Sequence, residues 1–238
     1  MKGSDSIKYF GGKSRTCKQI SNYIACNTNI NNKIILSPFV GGGWVESLLP
    51  TENMICCDKH PYLIKMYKAL KNGWVPPTEL SKEEYDYIKE NRDEDPALTG
   101  FVGFGCSFSG KWFGGYAKDN TGRNYCLNAH NSIIKKMKTL QHAKFYCKDY
   151  REINPKNAII YCDPPYRGTT QYSMGEFDSQ EFWDVIRTWS KHNEVFVSEY
   201  NAPDDFETVW LQEVKLDIRD RNNEKQKRVE KLFKMIKN

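Results

Sequence analysis

Six short apolar or β-branched runs bounded by turn residues punctuate the chain, at 34–36, 54–57, 144–147, 158–162, 195–198 and 209–216. Runs of that length and composition predict that several are strands. Helical patterns lie between them at 13–25, 61–70 and 179–192. In the last, Phe182, Val185, Ile186 and Trp189 make one face, and Asp178 with Glu181 suits a capping box. Strands alternating with helices must bury both faces of a sheet, so the fold class is α/β. The 238 residues fit one large domain, or one domain carrying an insertion. Residues 72–141 break the rhythm. They open with NGWVPPTEL, pass through a helix expected over 83–91 with Ser81 and Glu84 as a capping box, and turn into FVGFGCSFSGKWFGGY. The reading is an inserted subdomain, 72–141, within a domain formed by 1–71 and 142–238.

Composition, 39% hydrophobic and 27% charged, is that of a soluble globular protein. No stretch has the apolar length of a membrane span, and the polar start MKGSDSIKYF lacks a signal-peptide core, so a cytoplasmic protein without a membrane partner is expected. Eight cysteines include no C-x-x-C pair, and Cys56, Cys57, Cys147 and Cys162 sit in strand-like runs, which predicts buried thiols. His60, His130, His142 and His192 form no ligand spacing, so no metal is expected.

The net charge of +5 is unevenly spread. Residues 219–238 hold eight Lys/Arg against three Asp/Glu, and residues 107–148 hold eight against one, whereas residues 76–96 hold eight acids against three bases. The two basic segments are candidates for an anionic partner.

Three stretches could carry chemistry. In SPFVGGGWVESLL, residues 37–49, glycines after a strand let the backbone pass close to a ligand at the sheet edge, and Asp58 ending the next strand could bond ribose hydroxyls. A dinucleotide fingerprint needs a third glycine where Glu46 stands, which disfavours NAD. GGKS at 11–14 has the end of a phosphate loop but Ile7 in place of its first glycine, so ATP hydrolysis fails there; Lys13 could serve an anionic group or be an ordinary exposed lysine at a helix start. In AIIYCDPPYRGT, residues 158–169, a strand ends in a carboxylate, two prolines and a tyrosine. Pro164 and Pro165 fix φ and leave stiff carbonyl acceptors, and Tyr166 offers a face for stacking. Acceptors beside a stacking face suit an amino-bearing aromatic ring. Asp163 and the Pro164 carbonyl would draw the amine's lone pair out of conjugation toward an electrophile.

DPPY, preceded by the FVGGG turn and an amino-terminal KYFGGK, resembles the Dam-type DNA adenine N6-methyltransferases, and the motif order resembles the α group of amino-methyltransferases. VFVSEYNAPDDF and the closing KRVEKLF extend the similarity to about residues 7–70 and 145–236. The resemblance implies a Rossmann-like methyltransferase sheet of seven strands ending in a β-hairpin, S-adenosylmethionine as cofactor, and double-stranded DNA as partner, with a homodimer on DNA as one arrangement. It implies that Tyr9 and Lys13 contact the cofactor and that Phe39, Gly41 and Gly43 line its methionine end. Asp58 would hold the ribose, and Asp149 with Tyr150 the adenine. Asp163 would touch the cofactor's amino group and accept from the target N6, with Tyr166 stacked on the target base.

Val229, Leu232, Phe233 and Ile236 recur at helical spacing. The resemblance overrides that periodicity and makes 228–236 a strand paired with 209–216. The loop RDRNNEKQKR, with Arg221, Lys225 and Lys227, then lies between them as a candidate phosphate contact. In the insertion, Phe108, Trp112, Phe113, Tyr116 and Tyr125 interleave with Lys111, Lys118 and Arg123, a mixture that suits DNA or a small aromatic core. Lys111, Trp112 and Arg123 are the candidates for DNA contact. Cytosine N4 or RNA adenine methylation, and a nucleic-acid-binding protein without turnover, remain the alternative readings.

Overall fold

The computed structural model describes residues 13–165, 177–219 and 225–237, with side chains left out at 215–219 and 225–227. Seven strands form one sheet in the order β3-β2-β1-β4-β5-β7-β6. They are β1 (Ile34–Ser37), β2 (Met54–Asp58), β3 (Lys144–Cys147), β4 (Ala158–Cys162), β5 (Glu194–Glu199), β6 (Phe206–Arg219) and β7 (Lys225–Met235). The first five are mutually parallel; β7 runs antiparallel to β5 and pairs with β6 as a hairpin. All six apolar runs are strands, and the carboxy-terminal hairpin completes the methyltransferase-like sheet.

Alternation within the strands feeds two cores. Ile35, Cys56, Ile159 and Tyr161 face a cluster shared with α1 (Cys17–Asn27), α2 (Pro61–Lys71), α3 (Lys82–Glu90), α4 (Pro96–Gly105) and α5 (Tyr125–Leu140). Leu36, Ile160, Cys162 and Val197 face the other, built on Phe182, Trp183, Ile186 and Trp189 of α6 (Ser179–Ser190). The result is three layers, helices on both faces of the sheet.

Two helices of the 72–141 segment lie inside the main core. Phe101, Val102 and Phe104 of α4, and Ala129, Ile133, Met137 and Leu140 of α5, share a cluster with Leu63, Tyr67 and Phe145. Helix α4 packs closely on α2: a Cβ on Gly100 would run into the Tyr62 carbonyl, and one on Gly103 into the Trp112 ring. The segment thus shares its apolar packing with the sheet.

Local signals behave unevenly. The α3 box forms, with Ser81 Oγ accepting from Glu84 N–H and Ser81 N–H donating to Glu84. Asp178 caps α6 through Gln180 and Glu181 N–H, but Glu181 pairs with Arg151 Nη1 at 3.2 Å rather than closing a box. Helix α1 begins at Cys17, four residues after Lys13, because Lys13 and Thr16 form a preceding turn. Cys56, Cys57 and Cys162 are buried as expected, whereas Cys147 is exposed because β3 is an edge strand. No helix of the described residues is long and apolar enough to cross a membrane.

Candidate active site

The strand order reverses between β1 and β4, and ligand crevices of open α/β sheets form at the carboxyl ends of such a pair. The glycine turn leaves β1 there and Asp163 leaves β4. Gly41 and Gly43 adopt φ of 44° and 62°. A Cβ on Gly43 would stand 2.9 Å from Tyr67 Oη and 3.3 Å from Leu140 Cδ1, so neither the backbone nor the space admits a side chain.

Hydrogen bonds to neighbouring residues hold this turn. Gly41 N–H donates to Asp58 Oδ2 at 3.0 Å, and Gly43 N–H donates to Val40 O at 2.8 Å. Tyr67 Oη donates to Gly41 O at 2.9 Å, and Lys136 Nζ donates to Gly42 O at 2.6 Å. Asp58 Oδ1 also accepts from His60 N–H at 2.9 Å. Burial nonetheless pushes the Asp58 carboxyl up to about 6, against the lowering effect of those backbone donors. A carboxylate has about four acceptor sites, so two bound amides leave capacity for hydroxyl donors.

Beside the turn stands a charged centre. Lys13 is 4% exposed, which removes the reading of an ordinary surface lysine. Its Nζ lies 2.9 Å from Asp163 Oδ1 and 3.2 Å from Glu230 Oε2 on β7. Pro164 is buried and Pro165 half-buried. Beyond β5, a cavity of about 750 Å³ is lined by Phe177, Trp183, Glu199, Tyr200 and Asn201, among others.

On the α6 side, Phe39 and Tyr150 are 5.3 Å apart between ring centroids, and both pack against Phe182 and Phe177. Burial raises the Tyr150 phenol to about 12. Asp149 accepts from Arg151 Nε at 2.8 Å and Nη2 at 2.7 Å, with Lys59 Nζ at 3.5 Å. The Arg151 hydrogen bonds hold its carboxyl down at about 2.

Glu46, which displaces the third glycine, is buried, accepts from Ser37 Oγ at 2.6 Å, and is pushed up to about 7 by burial. Lys136 is buried with Nζ 3.4 Å from the Trp44 ring centroid, and burial lowers it to about 7. Tyr67, Lys136 and Glu230 are not among the residues expected from the sequence. Lys136 carries a usable signal, since it falls on the apolar face of α5 with Ile133, Met137 and Leu140.

Of the nucleic-acid candidates, Trp112 is packed: its ring lies 4.1 Å from His60, 4.8 Å from Phe104 and 5.6 Å from Tyr62. Phe113 is buried and Tyr116 is tied to Leu80 O at 2.6 Å, so the aromatic-core alternative describes these three. Lys111 is half-buried, while Arg123 is exposed with its guanidinium 5.8 Å from the Tyr125 ring. Tyr9, Tyr166 and Arg221 lie outside the described residues, as do the side chains of Lys225 and Lys227.

The chain is similar in sequence to known proteins. Proteins named DNA adenine methylase from Vibrio cholerae are 27% identical over 190 residues, 67% of this chain and 64% of theirs. One from Haemophilus influenzae is 24% identical over 225 residues, 80% of this chain and 77% of its own. The chain thus spans just under two thirds of the Vibrio relatives' length. A solved Pyrococcus horikoshii structure overlays at TM-score 0.47 and 11% identity, over 97% of this chain and 88% of its own, too loosely to add to the strand order. Residues 9–97 and 111–231 match the sequence profile of one family, and on that match the chain belongs to the D12 class N6 adenine-specific DNA methyltransferases.

Proposed function

We propose that this protein transfers a methyl group from S-adenosylmethionine to the N6 amine of an adenine in double-stranded DNA. The observation that carries the reading is the position of Asp163, which directly follows β4 at the strand-order reversal, is paired with buried Lys13 and is followed by two prolines. The residues fit the cofactor: the glycine turn, left-handed at Gly41 and Gly43, leaves β1 at the strand-order reversal, with Asp58 ending β2 on one side and Asp163 following β4 on the other.

S-adenosylmethionine, when bound, supplies a methyl group activated by its sulfonium. Gly41 and Gly43, with Phe39 and Lys13, would hold its methionine end, Asp58 its ribose and Tyr150 its adenine. Asp149 is the less direct candidate for that adenine, since Arg151 already engages its carboxylate. Asp163 and the Pro164 carbonyl would accept from the target amine, orienting its lone pair and stabilising charge as it develops. Extruding the adenine costs a few kcal/mol. Stacking on Tyr166, about 1 to 3 kcal/mol per base, would offset that cost. The cavity beyond β5, with Phe177, Trp183 and Tyr200 in its lining, has the volume and aromatic walls for a base. Residues 72–141, through Lys111 and Arg123, and the loop with Arg221, Lys225 and Lys227, would contact DNA phosphates. A homodimer on the DNA is a further part of the proposal.

The test is incubation of duplex DNA with labelled S-adenosylmethionine, digestion and nucleoside chromatography. Label in N6-methyldeoxyadenosine supports the reading; label in N4-methylcytosine, in RNA alone, or nowhere overturns it.

A further inference from the structure

Four charged side chains run in series from the carboxy-terminal hairpin to the sheet edge. Arg228 Nη2 lies 2.5 Å from Glu230 Oε1, close in distance though not aligned as a hydrogen bond. Glu230 Oε2 lies 3.2 Å from Lys13 Nζ, and Lys13 Nζ lies 2.9 Å from Asp163 Oδ1. Glu230 is 1% exposed, and the cations on either side of it offset the cost of burying a charged group so deeply. Topology explains the placement. Strand β7 lies antiparallel beside β5 with Glu199 opposite Lys231, so Glu230 falls at the carboxyl end of β5, next to the end of β4 that carries Asp163.

Resting on the methyl-transfer reading, we infer that Glu230 is a positioning residue for the reaction: it fixes the Lys13 ammonium against Asp163, and so orients the carboxylate that accepts from the target amine. Lys13 reaches two carboxylates from a turn ahead of α1, and no strand holds it. Without Glu230 the long Lys13 side chain loses an ionic anchor, and the ammonium that faces the Asp163 carboxylate is held less firmly. Arg228 sits at the outer end, 35% exposed on its side chain, on the strand that carries Lys225 and Lys227. The hairpin proposed to meet phosphate is thereby tied through two ion pairs to the site of transfer.

The test is a double-mutant cycle of Glu230→Gln and Lys13→Met on the full chain, read twice. In thermal unfolding the double variant should lose clearly less than the summed losses of the single variants; additive losses overturn the inference, whatever the activity. In single-turnover methyl transfer to duplex DNA, E230Q should lower the rate at least tenfold, keep DNA affinity within twofold, and add little in the K13M background. A role confined to structure would leave the isosteric E230Q at the wild-type rate, which also overturns the inference. A wild-type protein that transfers nothing overturns the methyl-transfer reading and the inference with it, whereas an active wild type with an equally active E230Q overturns the inference alone.

Discussion

Lys136 Nζ donates to the Gly42 carbonyl at 2.6 Å, so a helix of the 72–141 segment holds the glycine turn of the sheet edge. The ammonium is desolvated, yet Trp44 and Glu46 beside it make its retention favourable. Replacing Lys136 with Met leaves the Gly42 carbonyl buried without that donor, a cost of about 1 to 3 kcal/mol, partly offset by removing a buried charge. We expect S-adenosylmethionine affinity to fall about tenfold in calorimetric titration, with DNA affinity kept. Unchanged cofactor affinity would detach the helix from the turn.

Gly43→Ala combines a left-handed backbone with a Cβ 2.9 Å from Tyr67 Oη. Gly122→Ala has the same backbone problem, at φ 70°, but open space around it. The expected loss is about 1 kcal/mol for Gly122→Ala from backbone strain, and about 2 kcal/mol or more for Gly43→Ala. Only the latter should weaken cofactor binding. Equal losses in denaturant unfolding, with binding intact in both, would mean that the turn is not a cofactor cradle.

His60 caps α2, its Nδ1 accepting from Leu63 N–H at 3.4 Å, and burial lowers it from 6.5 to about 4. The unfolded chain therefore takes up the proton first. Its contribution to stability is complete above about 6.5 and is lost as pH falls toward 4, a total on the order of 3 kcal/mol. Asp58 and Glu46 are raised and act in the opposite sense, gaining stability as pH falls through about 6 and 7. Comparison with His60→Asn isolates the histidine: wild type should lose more stability than the variant between pH 7 and 4. Parallel pH profiles would contradict this.

Trp112 and Arg123 should separate in their effects. Trp112→Ala removes a ring wedged against His60, Tyr62 and Gly103, and should cost about 3 kcal/mol in unfolding. Replacing Lys111 and Arg123 should leave stability within about 0.5 kcal/mol while weakening DNA binding and flattening its salt dependence. A salt slope equal to the wild type's would remove these two from the interface.

The sheet was legible because each inner strand is a short apolar run between turns, and DPPY marks the edge of β4 by residue type alone. Helix α4 was obscured by Gly100, Gly103 and Gly105, which read as loop residues but allow close packing on Tyr62, Trp112 and Ala129. In β7, periodicity misleads for a physical reason. Leu232 joins one core and Phe233 the other, because the strand is covered on both faces, and their adjacency imitates a helical stripe. Glu230 could not be told from a solvated charge by local composition, and only strand order brings it to the site, whereas Lys136 is marked by its place on the apolar face of α5.

Asp163 is the residue on which the functional account turns. The direct measurement is single-turnover methyl transfer to duplex adenine by Asp163→Ala, with DNA affinity measured on the same protein. The account predicts a rate at least a hundredfold below wild type with DNA affinity largely kept; transfer at the wild-type rate would contradict it.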